Sequence, residues 1–336
     1  MSTPTIYDVA RAAGVATSTV SRAFSTPGRV TEATRERIVA AAQELGYEPN
    51  PHARALISRR TQTLAMVVSD ITNPHFFEVI RGAEMRAKAA AYTLVLVNAE
   101  ESPRMELEQV RRLARSVDGF LLAASRQPEE NLLELAAAHP VVMINRQVPG
   151  MASVVVEHTE GCRQMVAHLA SLGHREIVYL AGPRNSWMAA SRWAAIRTAA
   201  RELELRATRL GPFTPTVASG GPAADAALTT SATGFIAHND MLAIGVLRRL
   251  TGRGVRVPAE ISVLGFDDIF AAELSTPTLT TLGGPHANVG RAAVELLLES
   301  MSSARDRGTP PQLVLASQLV LRQSTGIPGA ERAGHS

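Results

Sequence analysis

The sequence predicts two unlike parts: an all-α helix-turn-helix head over residues 1–60 and a two-lobed α/β body over residues 61–328. Three observations predict this. The head carries short amphipathic helical stretches separated by Gly and Pro. The body alternates near-continuous apolar runs with longer helical patterns, the mark of parallel sheets covered on both faces, and holds too many such units for one compact half. Charge divides the same way. Residues 1–60 contain eight arginines and five acids, so the head carries the whole formal excess of +3 and the body is neutral. A positive footprint confined to a short segment suits a polyanionic partner.

The head reads in order as follows. Thr5 to Asp8 is a helix start, with Thr5 as cap and Asp8 completing a capping box. The helix runs to about Ala13, with Ile6, Val9 and Ala10 on one face, and Gly14 stops it by accepting the left-handed conformation. A second helix spans about 18–25, with Val20 and Phe24 inward and Thr17, Ser18, Ser21 and Arg22 outward. Two helices joined by so tight a turn form a helix-turn-helix, whose second helix enters the major groove of DNA. Short polar side chains let that helix approach the base edges, and an arginine bonds guanine bidentately. A third helix is expected from Glu32 to Leu45, started by Thr31 and stopped by Gly46. Its Ala33, Ile38, Ala41, Ala42 and Leu45 are the expected core. Pro49 and Pro51 then bracket Asn50, the cap of a hinge helix over 50–57. At two turns it is too short to persist alone in water, and it is expected to form when paired with its symmetry mate on DNA.

The run TIYDVARAAGVATSTVSRAF, followed by VTEATRERIVAAAQELGYEPNPHARAL, resembles the LacI/GalR family of bacterial transcription regulators. The resemblance covers essentially the whole chain. It implies an all-α helix-turn-helix DNA-binding domain on a periplasmic-binding-protein-like sensor, acting as a homodimer on a palindromic double-stranded operator. It implies a repressor released by a small-molecule effector, most often a sugar or sugar derivative, with purine corepression as the alternative. Carried over, Thr17, Ser18 and Arg22 read the major groove. Leu56 wedges into the minor groove with Ala53 beside it, and Thr5, Tyr7, Ser21, Thr34 and Asn50 contact the DNA backbone. One departure is Ala16, where the family has Ser. Alanine offers no cap, so Thr17 either takes the cap or reads DNA.

In the body, strands are expected at 64–69, 94–97, 119–123, 141–144, 177–180, 234–237 and 262–265. The helices between them include 76–89, 105–116, 187–202 and 288–300. The resemblance places lobe 1 at 61–157 and 286–312, lobe 2 at 158–285 and 313–328, and a disordered tail at 329–336. Open α/β sheets bind ligands outside the carboxyl ends of their strands. The polar and aromatic residues there are Asp70, Asn73, Phe76, Asn145, Trp187, Arg192, Phe213, Asn239 and Asp267, the candidate effector site. Amides, carboxylates and an arginine satisfy hydroxyls, and Trp187 and Phe213 offer rings for a pyranose face. Asp240 is expected to cap the next helix. Gly283-Gly284 stands where the family often has Gln, and His286 either compensates or lies on the surface.

Other classes fit poorly. No apolar run approaches the roughly 20 residues of a membrane span. The start lacks the pattern of a signal peptide, so a cytoplasmic protein is expected. The single Cys162 excludes an internal disulfide and a cysteine zinc site, and reads as a buried, inert thiol. No dinucleotide, Walker, nucleophile-elbow or metal pattern appears, so neither a cofactor nor an enzymatic activity is expected. A carbohydrate-binding transport protein matches the body but not the head. An enzyme built on Asp267-Asp268 rests on an adjacent loop pair alone. No leucine-heptad tail follows the body, which favours a dimer over a tetramer.

Overall fold

The structure is a computed structural model that describes residues 4–25, 27–47, 60–302 and 309–329. The chain forms two compact units, residues 1–62 and 63–336.

The first unit holds α1 (Ile6–Ala13), α2 (Thr17–Ser25) and α3 (Glu32–Leu45). The capping box forms: the Thr5 amide and hydroxyl both donate to the Asp8 carboxylate, at 2.9 and 2.7 Å. Gly14, at φ 64°, lets the Val15 amide return to the Ala10 carbonyl. The core is Val9, Ala10, Ala13, Val20, Ala23, Ile38, Ala41 and Ala42, with Phe24 and Tyr47 packed against it. Two expected core residues are exposed. Ala33 lies on the far side of α3 from Ile38, and Leu45 sits in the last turn, where Tyr47 covers the core instead. α2 starts at Thr17, one residue early. The Ala16 carbonyl accepts the Thr19 and Val20 amides at 2.8 and 3.2 Å, so Thr17 is the first helical residue and not the cap. The hinge helix at 50–57, with Asn50, Ala53 and Leu56, lies outside the described residues.

The second unit holds two six-stranded sheets. The first contains β1 (Thr63–Val68), β2 (Thr93–Asn98), β3 (Gly119–Ala123), β4 (Val141–Ile144), β5 (Ala152–Val156) and β11 (Gln312–Leu315), in the order 11-5-4-3-1-2. The second contains β6 (Glu176–Leu180), β7 (Arg206–Leu210), β8 (Gly234–Ala237), β9 (Ser262–Phe266), β10 (Thr280–Gly283) and β12 (Gln318–Val320), in the order 12-10-9-8-6-7. All pairings are parallel except β10 with β12. The helices between them are α4 (His75–Ala89), α5 (Pro103–Leu113), α6 (Glu129–Ala138), α7 (Thr159–Ser171), α8 (Trp187–Glu202), α9 (Gly220–Leu228), α10 (Asp240–Gly252), α11 (Ala271–Leu274) and α12 (His286–Ser302).

Strand β1 shows why the apolar runs are continuous. Leu64, Met66 and Val68 enter the core formed with α4 and α12, and Ala65 and Val67 enter the core on the opposite face. Both faces are covered, so neither alternate set can be polar. α4 and α12 approach closely: a side chain at Gly82 would collide with the Ala287 carbonyl, and one at Gly290 with the Val79 carbonyl.

The chain crosses between lobes after β5, after β10 and between β11 and β12. This corrects the third boundary. Residues 312–315 pair with β5 in lobe 1, so the crossing falls at Ala316-Ser317 and not at 312. Strands β11 and β12 therefore go one to each sheet. Strands β5, β7 and β10 were not expected. Gly329, expected to open the disordered tail, packs instead: its amide donates to the Ala259 carbonyl at 2.8 Å, and just before it the Gly326 amide donates to Ser262 Oγ at 3.0 Å. Among the described residues, no helix is long and apolar enough to cross a membrane.

Candidate functional site

A cleft opens where the carboxyl ends of the two sheets face each other. Ser69 follows β1, Glu101 follows β2, Arg126 follows β3 and Asn145 follows β4. From lobe 2 come Ser186, Met188 and Arg192 after β6, Pro215 after β7, His238 and Asn239 after β8, and Asp267 after β9. The free space between them is only about 40 Å³, so the lobes stand closed on their own side chains. Four turns entering the cleft, at Glu101, Ala124, Asn145 and Asp267, take positive φ without being glycine. Such residues concentrate at binding sites because packing around the site holds them.

Arg192 is the centre. It is 3% exposed and Asp267 is 6% exposed. Its NH2 donates to Asp267 Oδ1 at 3.0 Å and faces His158 Nε2 at 3.3 Å, and its NH1 donates to the His238 carbonyl. The guanidinium lies 4.2 Å from the centroid of the Phe266 ring, a cation–π contact that also fixes its plane. From lobe 1, His75 brings Nδ1 to 3.6 Å from Asp267 Oδ1, and its Nε2 meets Asn145 Nδ2 at 2.9 Å. His286 joins from the second crossing, with Nε2 donating to the Asp267 carbonyl at 2.7 Å and its ring edge-on to His75. Burial pushes His75 down to about 4, although Asp267 pulls the other way. Burial and then the Arg192 charge hold His158 and His238 well below the ordinary imidazole range. The His75, His158 and His238 rings are neutral in the closed cleft. Among the described residues, no group of three His, Cys, Asp or Glu is arranged to hold a metal.

Of the nine candidate cleft residues, Asn73, Phe76, Asn145, Arg192, Asn239 and Asp267 line the cleft. Asp70, Trp187 and Phe213 do not. The Asp70 carboxylate is held by the Thr72 amide and hydroxyl at 2.9 and 2.7 Å. Phe213 packs against the core of lobe 2. Trp187 opens α8, and its neighbour Met188 faces the cleft instead. Asn239, not Asp240, caps α10: its Oδ1 accepts the Leu242 amide at 3.0 Å. Asp240 is buried and accepts from the Ile269 amide at 3.0 Å and the Thr281 hydroxyl at 2.6 Å. Sequence reasoning missed His75, His158, His238, Arg126 and Glu101. The available signal was position, since each follows a strand or a crossing.

In the first unit, Thr5, Tyr7, Ser18 and Arg22 are exposed, and Thr17, Ser21 and Thr34 are half-buried. Tyr7 is 68% exposed, far more than packing against α3 would leave. Arg22 lies along α2, with Nε donating to the Ser18 carbonyl at 3.1 Å and NH2 to Ser18 Oγ at 3.2 Å. The Thr34 hydroxyl accepts from Thr31 at 2.9 Å. α2 thus presents Ser18 and Arg22 together on its free face.

Residues 5–50 match the family described as bacterial regulatory proteins, lacI family, and residues 166–325 match a periplasmic binding protein-like domain. The chain is 32% identical over 331 residues to the HTH-type transcriptional regulator DegA of Bacillus subtilis (strain 168), covering 96% of this chain and 98% of DegA. The chain belongs to the lacI family of bacterial regulatory proteins. This lacI-family member is a DNA-binding transcription regulator, not an enzyme. Two solved structures extend the likeness over the whole length. One is the lac repressor dimer bound to operator and the anti-inducer ONPF, with TM-score 0.84, 26% identity, and coverage of 97% of this chain and 100% of that one. The other is a complex of the transcriptional regulator CelR with cellobiose, with TM-score 0.70, 29% identity, and coverage of 96% and 99%.

Proposed function

We propose that the protein is a repressor that binds a palindromic operator as a homodimer and releases it when a sugar or sugar derivative occupies the cleft. One observation carries this reading: the cleft is lined from both lobes, so a ligand there touches both and favours one arrangement of them. Complexes of similar proteins with operator and with cellobiose support it. The readers of base edges are Thr17, Ser18 and Arg22. Thr5, Tyr7, Ser21 and Thr34 hold the DNA backbone, with Asn50, Ala53 and Leu56 serving from the hinge. Asn73, Phe76, Asn145, Arg192, Asn239 and Asp267 contact the effector. The protein works in the bacterial cytoplasm, on the nucleoid.

Fluorescence anisotropy on labelled DNA tests both halves. Arg22→Ala is expected to weaken operator binding about ten- to a hundredfold, the discrimination of one bidentate arginine, and random DNA far less. Equal loss on both would reduce Arg22 to a backbone contact. A cleft ligand that leaves operator affinity unchanged would sink the coupling.

A further inference from the structure

The cleft's polar groups bear on the charge of its ligand. Two guanidiniums reach in from opposite lobes, Arg126 and Arg192, and each already has one carboxylate. Arg126 pairs with Glu101 at 2.6 and 3.0 Å, and Arg192 with Asp267 at 3.0 Å. Around them stand the imidazoles of His75, His158, His238 and His286. The permanent charges that act on His238 are Arg192 and Arg126, and the one that acts on His158 is Arg192, whereas Asp267 acts on His75 in the opposite sense. Helices α4, α8 and α10 begin at the cleft, with Asn73, Ser186 and Asn239 at their starts, and so turn three positive helix ends toward it.

Two donors there are unspent. Among the described residues Arg192 Nε and His75 Nδ1 have no hydrogen-bond partner, although Arg192 is 3% and His75 8% exposed. With Asn145 Nδ2 donating to His75 Nε2, the neutral ring carries its proton on Nδ1, and Asp267 Oδ1, 3.6 Å away, is too far to take it. Two acceptors are unspent as well, Asn145 Oδ1 and His286 Nδ1, enough for hydroxyls. Rings to stack a neutral pyranose face are sparse, since Trp187 and Phe213 lie outside the lining.

We propose that the effector is anionic: a small hydroxylated molecule whose carboxylate or phosphate seats against Arg192 and His75, competing with Asp267, and whose hydroxyls meet Asn145 and His286. This rests on the cleft being the effector site. An acceptor-only group satisfies both spare donors, and the buried guanidinium gains a second counter-charge.

The test is calorimetry and thermal shift on the full chain with matched sets. These are D-glucose, D-gluconate and D-glucose 6-phosphate; D-galactose and D-galacturonate; and D-ribose and D-ribose 5-phosphate. Sodium chloride at equal ionic strength is the control. An acid or phosphate is expected to bind at least about tenfold tighter than its neutral mate, and the two anionic arms separate carboxylate from phosphate. Asp267→Asn removes the competitor and should tighten that anion severalfold, whereas Arg192→Gln should erase the preference. A neutral sugar that binds as well as its anion, or a panel in which no anion is preferred, overturns the anionic class. In that case a neutral-sugar response lost in Arg192→Gln leaves the cleft as the sensor. A response whose affinities and anion preference are left unchanged by both substitutions places the ligand elsewhere and overturns the cleft reading with it.

Discussion

Asp267→Asn probes the buried pair at the centre of the cleft. The substitution keeps the shape and removes the charge, and asparagine tolerates the positive φ of 104° that aspartate adopts there, so the backbone is not further strained. Arg192 and Asp267 are 3% and 6% exposed and 3.0 Å apart. At an effective dielectric near 20, two unit charges at that separation attract by about 5 kcal/mol, an upper gauge of what is lost. Removing one partner of a buried pair costs about 3–5 kcal/mol, because the other charge stays buried. The Phe266 ring and the His238 carbonyl still hold the guanidinium, which puts the expected cost at the lower end, about 3 kcal/mol. Urea unfolding followed by tryptophan fluorescence reads this directly, since both tryptophans, Trp187 and Trp193, lie on α8 with Arg192. The double variant Arg192→Gln/Asp267→Asn should be more stable than the sum of the single losses by about 2 kcal/mol or more, since neither charge is then left alone. Additivity to within about 0.5 kcal/mol would refute the coupling.

Two further predictions concern other parts of the chain. Ala16→Ser should stabilise the N-terminal unit by about 1 kcal/mol, because a serine at that position accepts the Thr19 amide that alanine leaves without a side-chain partner; a calorimetric scan showing the first transition unmoved or lowered would contradict this. His174 is buried, bonded to Thr233 Oγ1 at 2.7 Å and Ser262 Oγ at 2.9 Å, and burial pushes it down to about 4. A depressed histidine binds its proton more readily when unfolded. Its stabilising contribution is therefore complete above pH 6.5 and declines as pH falls toward 4. His75, also at about 4, acts in the same window. Thermal midpoints measured between pH 4 and 7 should fall less steeply for His174→Gln than for the parent chain, and parallel curves would exclude the role of this ring.

Local signals in the sequence determined a good deal. Capping boxes, glycine stops and the 3.6-residue period act within a few residues, so α1, α2, α3 and most helices of the body were legible within a few residues of their observed ends. The apolar strands most deeply buried, β1, β3, β4, β8 and β9, were legible for the same reason. β7 was not: its sequence RATRL is mostly polar because it is an edge strand with no buried residue. Strand ends also indicated where a cleft should lie, and six of nine candidate residues line it. Only the tertiary structure decided the rest. Asp70 and Phe213 found nearer partners in Thr72 and the lobe core, and Asn239 took the cap that Asp240 was expected to supply. The histidines of the cleft come from positions 75, 158, 238 and 286, far apart in sequence, and no local pattern distinguishes a histidine of the cleft from one on the surface. Long-range pairing also sent β11 to one sheet and β12 to the other, three residues apart, because a single turn of chain is the crossing between lobes. Secondary structure follows from neighbours in sequence, but the charge and shape of a cleft follow from which distant segments the two sheets bring together.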